Sequence, residues 1–301
     1  MTRTVTVGID GSPESRAAAE WAAREAELRG LPLKIINVWE PVPQPMAQAP
    51  LLGAETHQHW TERIPREAAD GIRRSHPGLT VIVEQPPGQA GEVLSGVAKG
   101  AELLVLGSRG LSGIGGFLVG SVGLTVVAHA ERPVVLVRAR EHSADQYMPD
   151  LSGPSSASVP YLPVVLGLDT DSPDASVIEF AFEAAARRAT SLRVVHGWTL
   201  PPYFAYGLSA DPDFNARLTK QYSALLADVL RPWRQKFPSV EVVEVSRSGR
   251  PANHLVDASR KASMVVVGRR IRRHPIGARV GPVTHAILHH VTVPVAVVPH
   301  E

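Results

Sequence analysis

The chain has 301 residues, 44% of them hydrophobic and 20% charged, and a formal net charge of only +2. That near-neutral balance excludes bulk electrostatic binding to nucleic acid or to an acidic membrane surface, and the lack of cysteine excludes disulfides and thiolate metal sites. No apolar run approaches the roughly 18–20 residues of a membrane span, and the N-terminus shows no basic-then-apolar leader, so a cytoplasmic protein is expected.

In chain order, TVTVGI (4–9) reads as a short buried strand closed by Asp10-Gly11. Residues 12–30 read as a helix, with Ser12 placed to cap it, Pro13 in its first turn and Gly30 past its end. LKIINVW (33–39) is a second strand, followed by a proline-rich loop and a helix over 59–75 that must accommodate Pro65 and Gly71. LTVIVEQ (79–85) is a third strand, AGEVLSGVAKG (90–100) a helix and ELLVLG (102–107) a fourth strand. SVGLTVVAHA (121–130) is a helix, and PVVLVRA (133–139) closes the series as a fifth strand. Strands alternating with helices predict right-handed βαβ units around a parallel sheet. The continuous Val/Ile/Leu runs fit strands covered on both faces.

The second half repeats the first. VTVGID (5–10) matches VVLGLD (164–169) and INVWEP (36–41) matches VHGWTL (195–200), both at an offset of 159. Downstream the offset is 161, pairing HPGLTVIVE with FPSVEVVEV, AELLVLGSRG with ASMVVVGRRI and ERPVVLVRA with TVPVAVVPH. Landmarks in one order with one small length change are a duplication. The chain is therefore read as domain 1 (1–140), a Ser/Pro/Asp-rich linker (141–160) and domain 2 (161–301), each domain a three-layer α/β unit. Ligands of such sheets bind beyond the carboxyl ends of the strands, where strand order reverses. That places Asp10, the loop after Val38 and the glycine-rich stretch after Leu106 at the expected crevice.

The stretch GSRGLSGIGGFLVGSVG (107–123) joins the fourth strand to the next helix. Glycines there allow positive φ and close backbone approach, and the helix start offers N–H groups and Ser121 to an anion. No Walker motif occurs, and no G-x-G-x-x-G follows the first strand. What does occur is Gly107, Gly110, Gly120 and Ser121 in the spacing G-x2-G-x9-G-S. With VGIDGS at the first strand and a closing RPVVLV, this resembles the ATP-binding class of universal stress proteins, over both halves of the chain.

The resemblance implies a flavodoxin-like parallel sheet of order 3-2-1-4-5 in each domain and ATP as ligand, with Mg2+ as a companion the triphosphate allows. Carried over by position, Gly8 and Asp10 lie at the end of strand one, with Asp10 on the adenine or ribose side and the Val38 backbone at the base. Gly107, Arg109, Gly110 and Gly113 would form the phosphate loop, and Gly120, Ser121 and Val122 the anion site. Members of the family commonly dimerise, so the tandem domains are expected to act as a pseudo-dimer, with PVVLV and PVAVV as the strands to pair. Association into a homodimer of chains and a regulatory protein partner are also expected.

Domain 2 keeps Gly167, Asp169, Gly268 and Gly281, but Ile271 stands where Gly110 would be and Pro282 where Ser121 would be. A β-branched residue disfavours positive φ, and proline removes both a hydroxyl and an N–H. Domain 2 is therefore expected to bind ATP weakly or not at all. Arg269, Arg270, Arg272, Arg273, His274 and Arg279 replace the glycines with charge suited to an anion or an acidic partner. His285 and His289 have zinc-like spacing but no intervening Glu and no third ligand, so no metal site is expected. No G-x-S-x-G elbow exists, and Ser112 and Ser121 have no evident base. The leading expectation is a regulatory ATP-binding protein rather than an efficient enzyme. The alternatives are a slow ATPase or phosphotransferase using the same site, and a nucleotide-independent module acting through the basic loop 269–279. The segments EPVPQPMAQAPLLG and TLPPYFAYGLSADPDF are expected to be loops over the crevice.

Overall fold

The structure, a computed structural model, describes residues 3–40, 54–108, 120–139, 160–199, 212–271 and 280–301, without the side chains of 54–61, 212 and 213. The chain divides into two compact units, Met1–Glu141 and His142–Glu301. Domain 1 runs β1 (Val5–Gly8), α1 (Pro13–Arg29), β2 (Leu33–Ile36), α2 (Ala54–Ser75), β3 (Val81–Glu84), α3 (Ala90–Ala98), β4 (Leu103–Ser108), α4 (Ser121–His129) and β5 (Val134–Arg138). Domain 2 repeats the order with β6 (Val164–Gly167), α5 (Ala175–Arg187), β7 (Leu192–Trp198), α6 (Pro212–Lys236), β8 (Val242–Ser248), α7 (Pro251–Ser259), β9 (Met264–Arg270), α8 (Pro282–His290) and β10 (Val295–His300).

Within each domain the strands pair in parallel. In domain 1, β1 lies between β2 and β4, with β3 outside β2 and β5 outside β4, giving the order 3-2-1-4-5. In domain 2, β6 lies between β7 and β9, with β8 and β10 outside them. Chain direction across the sheet therefore reverses between β1 and β4, and between β6 and β9, which opens a crevice at their carboxyl ends.

Helix α1 begins as its sequence dictates. The Ser12 hydroxyl accepts from the Ser15 N–H (3.1 Å), Pro13 occupies the first turn, and Gly30 ends the helix at φ 62°. Its alanines (18, 22 and 26) are fully buried, which lets the helix axis lie close to the sheet. Helix α2 starts at Ala54, five residues earlier than the sequence pattern predicts, and runs through Pro65. Proline is tolerated there because Pro65, Ala69, Ile72 and His76 form one buried face at helical spacing, so apolar contact offsets the missing hydrogen bond.

His76, just past α2, is clamped against α1: its Nε2 lies 3.1 Å from Glu20 and its Nδ1 2.9 Å from Glu27. Burial pushes the imidazole pKa down, but the hydrogen bonds and charges of Glu27 and Glu20 outweigh it, leaving the pKa above its ordinary value.

The edge strands carry a matched device. Leu33 N–H donates to Thr80 O and Asn37 N–H to Glu84 O, so the carbonyl of Val81 points away from β2, toward the free edge. Arg73 donates to it from α2 at 3.3 Å. In domain 2, Leu192 N–H bonds Glu241 O, so Val242 O likewise faces outward, and Arg234 donates to it at 3.3 Å. The same arginine, one repeat apart, covers the outward carbonyl of each edge.

Candidate functional site

At the crevice of domain 1 lies a cleft of about 510 Å³, lined among others by Gly8, Asp10, Val38, Gly107, Gly120 and Ser121. Asp10 follows β1. Its Oδ1 accepts from the Ser12 N–H (3.0 Å) and the Ser12 hydroxyl (2.5 Å), which fixes the carboxylate against the start of α1. Desolvation pushes this carboxyl up, yet the hydrogen bonds from Ser12 and Ser15 outweigh it, and its pKa lies below the ordinary value. Asp10 is therefore a fixed anion and a weak base. Two hydroxyl-bearing residues, Ser12 and Ser15, thus belong to the site although the glycine motif does not point to them.

The base-side wall depends on a residue that sequence reasoning passed over. Strand β2 was expected to run to Trp39 but ends at Ile36. The ladder stops because the Asn37 side chain donates to Ile9 O (2.9 Å) while accepting from Gln85 Nε2 (3.0 Å). Ile9 O is the acceptor that the Val38 N–H would take if the ladder continued, since Ile9 N–H already bonds Ile36 O. Among the described residues no backbone group takes the Val38 N–H, which is left facing the cleft. The available signal was a lone amide side chain at the end of a buried apolar strand.

The opposite wall is the start of α4. Gly120 sits in extended backbone (ψ 155°) as its N-cap with no side-chain hydrogen bond, and Leu124 N–H is the first to bond back, to Gly120 O. The N–H groups of Ser121, Val122 and Gly123 are therefore open, with the Ser121 hydroxyl beside them. Between the two walls, Gly107 brings β4 against α1: a Cβ there would lie 2.7 Å from the Ser15 nitrogen and the Glu14 carbonyl carbon. Arg109, Gly110 and Gly113 lie outside the described residues.

Domain 2 has a cleft of about 490 Å³ in the same place, and Gly167, Asp169, Gly268 and Gly281 all line it. Asp169 Oδ1 accepts from the Asp171 N–H (3.0 Å). His196, the counterpart of Asn37, brings Nδ1 to Leu168 O (3.1 Å), and its Nε2 lies 3.3 Å from the Thr170 hydroxyl. The loop from Asp169 to the Asp174 cap of α5 is three residues longer than the loop from Asp10 to Ser12. Pro282 occupies the first turn of α8, and the Thr284 hydroxyl donates to Gly268 O (2.9 Å). Ile271 continues the extended backbone, its N–H donating to His300 O (2.6 Å), where a phosphate loop would have to turn. Arg269 is buried and Arg270 lines the cleft. Arg272, Arg273, His274 and Arg279 lie outside the described residues, as do the two loops expected over the crevices.

The rings of His285 and His289 lie 4.4 Å apart on α8, and no group of three or more metal-ligating side chains occurs among the described residues. Nor, among those residues, is any helix long and apolar enough to cross a membrane.

Comparison with known proteins follows the duplication. The sequence model of the universal stress protein family matches residues 1–138 and again 160–299. The chain is similar to a universal stress protein of Mycolicibacterium smegmatis, at 31% identity over 304 residues covering 98% of this chain and 96% of that one. It is also similar to one of Mycobacterium tuberculosis, at 32% over 317 residues, covering 97% and 96%. Among solved structures, a universal stress protein from Archaeoglobus fulgidus shares the fold, with a TM-score of 0.68 at 16% identity and coverage of 99% and 98%. Two matches of one family model, laid end to end on repeated folds, leave one conclusion: the chain belongs to the universal stress protein family, as a tandem of two of its domains.

Proposed function

We propose that the chain is a cytoplasmic regulatory protein that binds ATP in domain 1 and presents the bound form to a protein partner. The observation that carries this is the pairing of two open hydrogen-bonding walls across one cleft. The unclaimed Val38 N–H stands on one side and the open first turn of α4 on the other, with the Asp10 carboxylate between them. A backbone N–H suits a ring nitrogen of the base, and a fixed carboxylate suits ribose hydroxyls. A helix start preceded by glycine suits phosphate. In this reading Gly8 and Gly107 keep the floor clear of side chains, and Gly120, Ser121 and Val122 hold phosphate oxygens. ATP supplies the charge that the helix start attracts, and Mg2+ would accompany it.

The site is a binding site rather than an efficient catalytic one. Asp10 is tied to Ser12 and has a lowered pKa, so at neutral pH it is a poor acceptor for a proton from water or from a substrate hydroxyl. Domain 2, with Pro282 in place of Ser121, holds ATP weakly at most, and chains associate as homodimers. The test is calorimetric titration of the purified chain with Mg-ATP, alongside phosphate release. One strong site with negligible turnover is the expected result; steady multiple turnover from the same site would favour the phosphotransfer reading, and absence of binding would remove both.

A further inference from the structure

Domain 1 has a second concavity, outside the nucleotide cleft. It is a groove of about 350 Å³ between α1 and α2, with Ile9, Ala19, Ile64, Ala68 and Ile72 among its apolar lining. Ile9 and Ser15 line both concavities, so the groove backs onto the cleft across the end of β1 and the start of α1. Gly71, inside α2, lines it as well. Among the described residues, a Cβ at Gly71 would meet nothing within 4 Å beyond its own helix, and the position has no positive φ. Glycine weakens a helix, and here neither close packing nor backbone conformation requires it. What it leaves is open space beside α1.

Domain 2 uses the same positions for bulk. The offset of 159 at α1 is fixed by the left-handed residues that follow the two helices, Gly30 (φ 62°) and Ala189 (φ 47°). The offset of 161 at α2 is fixed by the matched Arg73 and Arg234. Ala19, Ala68, Gly71 and Ser75 then correspond to Ile178, Val229, Pro232 and Lys236. Phe182 stands where Ala23 stands and stacks on Trp233 and Phe237, with ring centroids 6.2 and 5.4 Å away. Lys236 pairs with Glu179 and so ties α6 to α5. The repeated fold therefore accepts large side chains between these helices, and the small ones of domain 1 are not a demand of the fold.

The charged lining of the groove is Arg16, Glu20 and Glu67. Glu67 is paired with Arg63 (2.6 Å), and Glu20 is turned to His76 (3.1 Å) and Arg24 (3.7 Å). The hydroxyls of Ser15 and Ser75 donate to Ser12 O and Gly71 O. Arg16 is exposed, and among the described residues no carboxylate pairs with it. An apolar groove with one uncommitted guanidinium at its rim suits a molecule with an apolar body and a single carboxylate. We propose that the α1–α2 groove of domain 1 binds a medium-chain monocarboxylic acid, its hydrocarbon between the helices and its carboxylate on Arg16. Such a site is independent of what occupies the neighbouring cleft.

The experiment is calorimetric titration of the full chain with octanoate, 1-octanol and octylamine. One octanoate site per chain is expected, about tenfold tighter than 1-octanol, with octylamine weaker still. Gly71→Leu places a side chain in the open space and removes a helix glycine, so octanoate binding should be lost while the urea midpoint stays equal or rises. Ser75→Lys, which imports the domain 2 residue opposite Glu20, should weaken octanoate by about tenfold. Arg16→Ala should weaken octanoate by about tenfold and leave 1-octanol unchanged, which separates reading of the carboxylate from burial of the chain. Absence of octanoate binding would overturn the proposal, as would binding that neither Gly71→Leu nor Ser75→Lys alters. Octanoate no tighter than 1-octanol or octylamine would also overturn it.

Discussion

Replacing Asn37 by Leu tests how the fold exposes a recognition edge. Asn37 makes two hydrogen bonds, to Ile9 O at 2.9 Å and from Gln85 at 3.0 Å. Without it, Ile9 O can remain unpaired in a largely buried position, which costs about 2–3 kcal/mol of stability when the lost bonds are included. Alternatively, the Val38 N–H swings onto Ile9 O and extends the ladder by one bond. Stability then falls by only about 1 kcal/mol, but the donor facing the cleft is consumed and nucleotide affinity drops by about tenfold. Asn37→Leu must therefore lose one or the other. Asn37→His should recover both, because His196 meets the corresponding carbonyl in domain 2. Urea denaturation followed by tryptophan fluorescence measures the first quantity and ATP titration the second. Hydrogen exchange at the Val38 amide distinguishes the two routes, since protection rises only if the ladder extends. Unchanged stability and affinity in Asn37→Leu, or a histidine variant as impaired as the leucine one, would refute the reasoning.

Ser121→Ala removes one donor to phosphate and should weaken ATP by about tenfold while leaving adenosine unaffected, measured by parallel titrations. Gly107→Ala forces a methyl against the α1 backbone and should destabilise by about 3 kcal/mol; Gly268→Ala meets only the tip of the His300 ring and a Val177 methyl and should cost about 1 kcal/mol, both read from denaturant midpoints. His76 has a folded pKa raised above its unfolded value near 6.5, so its contribution is complete below that pH and is lost as pH rises through the folded pKa. Stability should fall with pH across that window in the wild type, and His76→Gln should flatten the fall in a series of urea titrations. Arg73→Ala with Arg234→Ala uncovers the outward carbonyls of both edge strands. Sedimentation velocity should then show concentration-dependent association above the wild-type level, while equal behaviour would deny these arginines a guarding role.

Much of the architecture was legible because it is written in local signals. Ser12, Pro13 and Gly30 delimit α1 by capping chemistry, and buried apolar runs mark the strands. The repeat offsets place each element of domain 2 on its counterpart. Asp10, Val38, Gly107, Gly120 and Ser121 were legible as neighbours because the ends of β1, β2 and β4 must converge where strand order reverses. What was not legible depends on contacts distant in sequence. Nothing local says that Asn37 will turn back onto Ile9 O, or that His196 will do the same with a different side chain. The early start of α2 and its passage through Pro65 were hidden for a related reason, since proline is a breaker by propensity and is tolerated only through tertiary contact. The longer loop ahead of α5 escaped notice because a shorter α5, of 13 residues against 17 in α1, restores the register before β7.

The central claim is that one domain of this tandem protein holds a triphosphate and the other does not. The most direct measurement is extraction of the nucleotides retained by the rapidly purified chain, identified and counted by chromatography with mass detection. The account predicts one ATP per chain, reduced in amount by Ser121→Ala. Two ATP molecules per chain, or ATP retained undiminished in the Ser121→Ala variant, would contradict it.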